Sequence, residues 1–376
     1  MSAGTELAAA VEELRLGRVG AVLARFDAWI VGGVARALVA GTRPEADIDV
    51  AVDHELDPIL ERLGLPAKRH DRFETAVVDL GDGRHADIAR TRVETYASPG
   101  ALPDVAPAPI EADLARRDFT VNAIAVSLAA GHRILDPHGG RADLGAKVLR
   151  VIHPRSFEDD PTRAVRAARY CSRLGLTPDP ATLHRLERAD LALVTRDRRD
   201  AELRRLAAER QAAAGFRLLA EWGAIELPVG TDDLLEAVAA VRGDPVWAGH
   251  AEPGIRAMLI AAGLTTGLGQ ARRLAVARPG RPSDAIELAV GADSAVLLVG
   301  TALGGGWIED YVREWSEVRL EIDGSDLLAA GIPAGPAIGA GLGEALRQKL
   351  DGAIPGGRRS ELEAAIRAAR RASGPI

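Results

Sequence analysis

The chain has 376 residues, with 47 Lys plus Arg against 54 Asp plus Glu and a formal net charge of −7, so its overall charge does not attract nucleic acid. It has no 18-residue apolar run to span a membrane, and its single cysteine, Cys171, excludes a disulfide framework and a Cys-rich zinc site. The N-terminus carries acids early, with no basic segment leading into an apolar core, which predicts no signal peptide and a reducing, cytoplasmic setting.

In chain order, "AWIVGG", "DIDVAV", "ETAVVDL", "HADIA" and "VNAIAVSL" read as strands. "VARALVAG" and "DHELDPILERLG" read as short helices between them, the second with Asp53 as its N-cap. The proline-rich stretch from Tyr96 to Ala112 reads as a long loop, and long loops inside compact domains are often functional. From about Phe157 strand signals vanish and apolar residues recur at helical spacing to the end. The fold class expected is α+β: a head with a mixed sheet over 1–150, then helical segments over 151–215, 216–310 and 311–376. Local charge departs from the total. Between Arg150 and Arg210 stand 14 Arg against 10 acids, and from Pro355 onward five Arg against two Glu. Such runs suit phosphate backbone, although a solvated helix face is the commoner reason for either. Aromatics are only 3%, which argues against a stacking platform for long single strands.

Asp47 and Asp49 stand at i and i+2 on a predicted strand, so both carboxylates project from one face. Close carboxylates raise each other's pKa unless a cation neutralises them. Mg2+ takes one or two protein carboxylates and keeps positions for substrate phosphates. Upstream, Gly32 and Gly33 open a helix whose N-terminal N–H groups suit an anion, with Arg36 one turn on. Asp87, in "RHADIAR", is a candidate third carboxylate, and Arg117, in "DLARRDFTVNAIAV", a candidate for neutralising a polyphosphate. "LDPHGG" reads as a tight turn stacking the last strand on a helix.

In "DDPTRAVRAARY", Asp160, Arg163, Arg166 and Arg169 recur every three residues on a predicted helix, each within reach of the next. Cytosine and adenine present an amine donor beside a ring-nitrogen acceptor on their pairing edges. An Asp accepting from the amine and an Arg donating to the ring nitrogen therefore favour C and A over G and U. A salt-bridge ladder on an exposed helix explains the same spacing.

Taken together, "GGVAR", "DIDV", "DIARTR", "DLARRDFTVNAIA", "LDPHGG" and "DDPTRAVRAARYCSRLG" resemble the class II tRNA nucleotidyltransferase and bacterial poly(A) polymerase family, in the polymerase-β nucleotidyltransferase superfamily. The resemblance covers residues 30 to about 176. It implies a mixed-sheet head followed by helical neck, body and tail, and addition of CMP or AMP from CTP or ATP to an RNA 3′ end. It also implies Asp47 and Asp49 as Mg2+ ligands, Asp87 as third carboxylate, and Gly33, Arg36 and Arg117 as triphosphate contacts. Asp160 and Arg163 match the base-reading pair, and Arg166 and Arg169 the nucleotide-binding arginines after it. In the tail, Gly335 and Gly339 resemble an element for RNA backbone contact. The chain departs from the family at Ala37, where an Asp usually stands, and at Asp159, where a Glu does. CCA, CC-only, A-only and poly(A) addition share these motifs. A catalytically silent RNA-binding protein and a small-molecule nucleotidyltransferase are the other readings. No membrane or protein partner is expected.

Overall fold

The computed structural model describes residues 3–44, 47–70, 74–81, 83–247 and 251–373. It forms two compact units, Met1–Glu226 and Leu227–Ile376. The first holds a seven-stranded sheet built from β1 (Ala28–Ile30), β2 (Ile48–Val52), β3 (Ala67–His70), β4 (Thr75–Gly81), β5 (Arg84–Arg90), β8 (Ala125–Ser127) and β9 (Ile134–Leu135). The strand order is β3-β4-β5-β2-β1-β8-β9. β2 and β5 run parallel and every other neighbouring pair is antiparallel, so the sheet is mixed, as expected.

Side-chain alternation separates the two faces. Ile48, Val50, Val52, Ala76, Val78, Ala86 and Ile88 enter one core, against the helices Gly32–Ala40 and Leu56–Leu63. Trp29, Val31 and Ala51 point the other way, into a smaller cluster with Ile110 and Leu114. Asp49 and Asp87 occupy that second face, the only exposed positions between buried neighbours on their strands (Ile48 and Val50; Ala86 and Ile88).

Four local expectations are corrected. The helix after β2 has Glu55, not Asp53, as its N-cap and starts at Leu56, because Pro58 lacks an N–H and is tolerated only in a first turn. Asp53 instead accepts a hydrogen bond from Thr91 Oγ1 at 3.4 Å. "VNAIAVSL" is strand only at Ala125–Ser127, and Thr120–Asn122 is a 3-10 turn. Side-chain bonds impose that turn: Thr120 donates to Asp143 at 2.7 Å and Asn122 to Asp118 at 2.9 Å. The proline-rich stretch is not an unstructured loop. β6 (Arg92–Thr95) pairs antiparallel with β7 (Asp104–Pro107), and the helix Ile110–Ala115 follows. A two-stranded ribbon consists of edges, where a missing N–H is tolerated, so Pro107 pairs with Arg92 without loss. Finally, Asp160 lies outside the helix Arg163–Leu174, with extended φ −139° and ψ 92°, because the residue before a proline is pushed out of the helical region.

The "LDPHGG" turn forms as expected. Asp136 accepts from the backbone N–H of Gly140 (2.7 Å) and Arg141 (3.0 Å), opening the helix Gly140–Gly145 directly after β9. A Cβ at Gly140 would lie 2.1 Å from the Thr120 carbonyl oxygen, a backbone atom that cannot step aside. Gly140→Ala is therefore expected to cost about 3 kcal/mol or more, at the upper end of overpacking, read as a lowered denaturant midpoint.

Past Pro178 the described residues are helical or irregular. The second unit ends in the helices Pro336–Leu350 and Arg358–Ala372, packed with Ile322, Leu327 and Ile332 around Ala345, Ala364, Ala365 and Ala369. Fully buried Glu361 is satisfied there by Lys349 and the Glu321 N–H, each at 2.6 Å. No single helix among the described residues is long and apolar enough to cross a membrane. Cys171 is buried, and burial pushes its thiol up to about 12, so it carries little thiolate at neutral pH.

Candidate active site

A cavity of about 600 Å³ opens on the second face of the sheet, within the first unit. Asp49 and Asp87 line it from the sheet side. They are register partners on the parallel strands β2 and β5, so their carboxylates stand side by side at the inter-strand spacing of about 4.8 Å. Burial, then the negative charge of Asp47, raises the Asp87 carboxyl above its ordinary value; His85 partly offsets this. Asp47 precedes β2 and does not line the cavity. Its carboxylate is largely exposed, 4.0 Å from His85 Nδ1.

Gly32 and Gly33 line the cavity at the start of their helix. Gly32 has φ +65°, and a Cβ there would meet Asp49 Oδ2 at 2.8 Å and Arg117 Nη1 at 3.9 Å. It thus leaves room between an acid and a base facing one space. Arg117 is held by Asp113 Oδ2 (3.0 Å). Arg116 grips Asp113 Oδ1 (2.7 Å), Glu94 (2.7 Å) and the Arg92 carbonyl oxygen (3.1 Å). Burial alone would raise Asp113, but Arg117 and Arg116 outweigh it and hold its carboxyl below the ordinary range. One buried acid therefore anchors the base of the β6–β7 hairpin and aims Arg117.

A second buried acid organises the arginines that follow in the chain. Asp118 accepts from the Phe119 N–H, Asn122 Nδ2 and Arg166 Nε, all within 2.9 Å. Burial would raise its carboxyl, but Arg166, the Asn122 hydrogen bond and Arg163 bring it down to about 2. Arg163, also buried, donates to Ser156 Oγ (2.7 Å) and to the Arg116 carbonyl oxygen (2.8 Å). Asp159 pairs instead with Arg155 at 3.2 Å.

Of the residues expected from the sequence, Gly32, Gly33, Asp49, Asp87, Arg117, Asp160, Arg163 and Arg166 meet at this cavity. Arg36 and Arg169 do not line it. Arg36 is buried behind the wall, donating to Asn122 Oδ1 with its guanidinium 5.4 Å from the Tyr170 ring centre. Arg169 pairs with Glu202 and Glu209 and sits 5.3 Å from the same ring. Gly335 and Gly339 lie in the second unit, exposed at the first turn of Pro336–Leu350. Sequence reasoning passed over Asn122, Tyr170, Glu94 and Tyr96. Their near neighbours read as ordinary local pairing, and the contacts that set them apart, Arg36 with Asn122 and Tyr170 and Arg116 with Glu94, come from far along the chain.

Among the described residues, no three His, Cys, Asp or Glu side chains cluster closely enough to hold a metal ion alone. The donor set still fits a hard divalent cation, because two adjacent all-oxygen ligands, one with a raised carboxyl, are what such an ion relieves when phosphate and water complete its shell.

Paired acids on a mixed sheet, a glycine-opened helix start and arginines across the cavity define a nucleotidyltransferase. Residues 28–150 match the family model described as the Poly A polymerase head domain. A CC-adding tRNA nucleotidyltransferase of Deinococcus radiodurans is 34% identical over 340 residues, spanning 86% of this chain and 85% of that protein. The chain belongs to the tRNA nucleotidyltransferase family. An A-adding tRNA nucleotidyltransferase of Geobacter sulfurreducens is 42% identical over 166 residues, 43% of this chain and 19% of that protein. Among solved structures, a CCA-adding enzyme in its apo form II superposes with a TM-score of 0.73 at 26% identity, over 96% of each chain. The Thermotoga maritima CCA-adding enzyme complexed with tRNA does so with 0.64 at 25%, over 94% of each.

Proposed function

We propose that this enzyme adds CMP, AMP or both from CTP and ATP to the 3′ end of tRNA, releasing pyrophosphate. One observation carries the reading: adjacent Asp49 and Asp87 line a single cavity together with Arg117, Arg163 and Arg166. A nucleoside triphosphate needs that combination, oxygen ligands for its counter-ion and guanidinium donors for its phosphates. Asp49 would hold Mg2+ together with Asp47, whose charge already acts on Asp87, and Asp87 is the third carboxylate. Bound there, Mg2+ neutralises the triphosphate and lowers the pKa of the attacking hydroxyl. Gly32, Gly33 and Arg117 receive the phosphates. Arg36 acts one step back, fixing Asn122, which in turn fixes Asp118 and Arg166. Asp160 and Arg163 read the base, with residues 151–215 as the neck that carries them. Arg169 supports Arg166 through their shared contact with Glu202. The tail, with Gly335 and Gly339, contacts the RNA backbone. A cytoplasmic setting suits the lone, buried Cys171.

The acceptor range follows from offering tRNA that ends at the discriminator base, at C or at CC, with each nucleoside triphosphate in turn. Extension by C or A, with U and G refused, is the expected result, and the extended acceptors separate CCA, CC-only and A-only addition. CC addition is the favoured product, since a CC-adding enzyme is 34% identical over 85% of its length, against 26% for a CCA-adding enzyme matched over 96%. Repeated A addition on any RNA end would instead favour poly(A) synthesis. Failure to incorporate any nucleotide overturns the proposal in favour of a silent RNA-binding protein.

A further inference from the structure

A second cavity, of about 900 Å³, lies on the reverse face of the sheet, also within the first unit. Ile48 lines it, whereas Asp49, the next residue, lines the active-site cavity, so the two open on opposite faces of β2 near its start. Its charged lining is Arg15, Arg43 and Arg84 against one acid, Glu13, in a chain whose formal net charge is −7. Among the described residues none of the three arginines forms an ion pair. Only the Arg84 guanidinium meets a protein acceptor, with Nη1 donating to the Leu14 carbonyl oxygen at 2.7 Å. Arg15 holds φ +49° just past the helix Ala3–Glu13, where glycine is the residue that fits without strain.

Three like charges around one space repel, and each guanidinium there keeps donors unused. A phosphate group accepts from such a fork two bonds at a time and relieves the repulsion. The left-handed backbone of Arg15 is a local cost that glycine would remove, yet the chain carries there a cation that lines this cavity. We propose that the cavity is a phosphate-binding site, separate from the triphosphate site, which holds backbone phosphates of the RNA strand behind its reacting 3′ end. Two observations favour a strand. The cavity flanks the start of β2, where Asp47 is exposed, so RNA whose 3′ hydroxyl lies beside Asp49 reaches it by passing the end of that strand. Its lining also holds no aromatic ring on which a base could stack, which suits a backbone better than a free nucleotide. Free pyrophosphate offers the same chemistry and is the other source. The RNA source rests on the proposal that tRNA is the acceptor.

The test compares wild type with Arg15→Gly, Arg43→Ala and the double variant. It measures equilibrium binding of the tRNA that the enzyme extends across a range of salt, the kcat and KM of that extension, and calorimetric titration with pyrophosphate. Glycine suits the backbone at position 15, and Arg43 is exposed, so all three variants should melt close to wild type. Arg43→Glu, at the same exposed position, replaces any that does not. Loss of two phosphate contacts is expected to weaken tRNA binding about tenfold at about 0.15 M salt. The slope of log K against log salt should flatten by about 1.5 in the double variant and by about half as much in each single one. KM for tRNA should rise with the lost affinity, while kcat and KM for the nucleotide stay at their wild-type values. Unchanged tRNA binding with one pyrophosphate equivalent lost keeps the phosphate site and gives it to a free anion, overturning the RNA source. Unchanged tRNA affinity, salt slope and pyrophosphate binding overturn the proposal altogether. If wild type neither binds nor extends tRNA, the function proposed above fails, and the pyrophosphate titration alone decides this site.

Discussion

Asp49→Ala is expected to reduce nucleotide incorporation by about three orders of magnitude, because a carboxylate holding a catalytic cation supplies several kcal/mol and each 1.36 kcal/mol is tenfold in rate. The loss should fall on kcat more than on KM for the nucleotide, since Arg117 and the glycine-opened helix start still hold the phosphates. Folding should be little affected: Asp49 is exposed, and its backbone carbonyl, which accepts the Val31 N–H at 3.0 Å, remains. Single-turnover incorporation with a thermal melt on the same sample checks both halves. Near-wild-type turnover in a folded Asp49→Ala chain would remove this residue from the proposed chemistry. Asp87→Ala should show a comparable loss with one difference. Removing a partly buried carboxyl that is costly to ionise should leave stability unchanged or slightly higher at neutral pH.

Asp118→Ala is expected to be the most destabilising of these changes, at about 2–3 kcal/mol, because it leaves half-buried Arg166 without its main partner and the buried Asn122 amide and Phe119 N–H without their acceptor. The size of the effect is a statement about the groups left unpaired rather than about the worth of the pair. The double variant Asp118→Leu with Arg166→Met, which removes both charges of the pair, is therefore expected to recover part of the stability but none of the nucleotide binding. The same carboxylate sets a pH dependence. Its folded-state value, about 2, lies below the 3.8 of the unfolded chain, so its contribution is fully present above about pH 4. That contribution, about 2 kcal/mol at 1.36 kcal/mol per pKa unit, is lost as pH falls through about 2. Denaturant melts between pH 5 and 2 should show this segment in wild type and lack it in Asp118→Ala. An identical slope in both would mean that Arg166 does not hold the carboxyl down.

Asp118 shows what one-dimensional reading misses. The segment from Arg116 to Asp118 is conspicuously charged, yet pairing among neighbours explains it as well as any site does. In the fold, Asp118 reaches Arg166, 48 positions along the chain, while Asp113 collects both neighbouring arginines. The same holds for Tyr170, whose ring lies within 6 Å of the guanidinium carbons of Arg36, Arg166, Arg169 and Arg173. Helical spacing places three of those arginines near the ring, but Arg36 arrives from the head.

What the chain determines by itself is set by short-range physics. Alternation over five or seven residues puts Asp49 on one face of β2 and Asp87 on one face of β5, because successive Cβ atoms point to opposite sides. Pro161 and Pro58 carry equally local instructions, legible once their steric demands are applied: one expels Asp160 from the helix, the other sets where a helix begins. Tertiary structure alone decides that Asp49 and Asp87 are register partners, since that pairing joins strands separated by β3, β4 and a helix. It alone joins Asp160 to Arg198, 38 positions along the chain, and it alone withdraws Arg36 behind Asn122. Each of these is a choice among partners distant in sequence, and burial makes that choice: a charge taken out of water must be paired, and only the folded chain determines which partner is within reach.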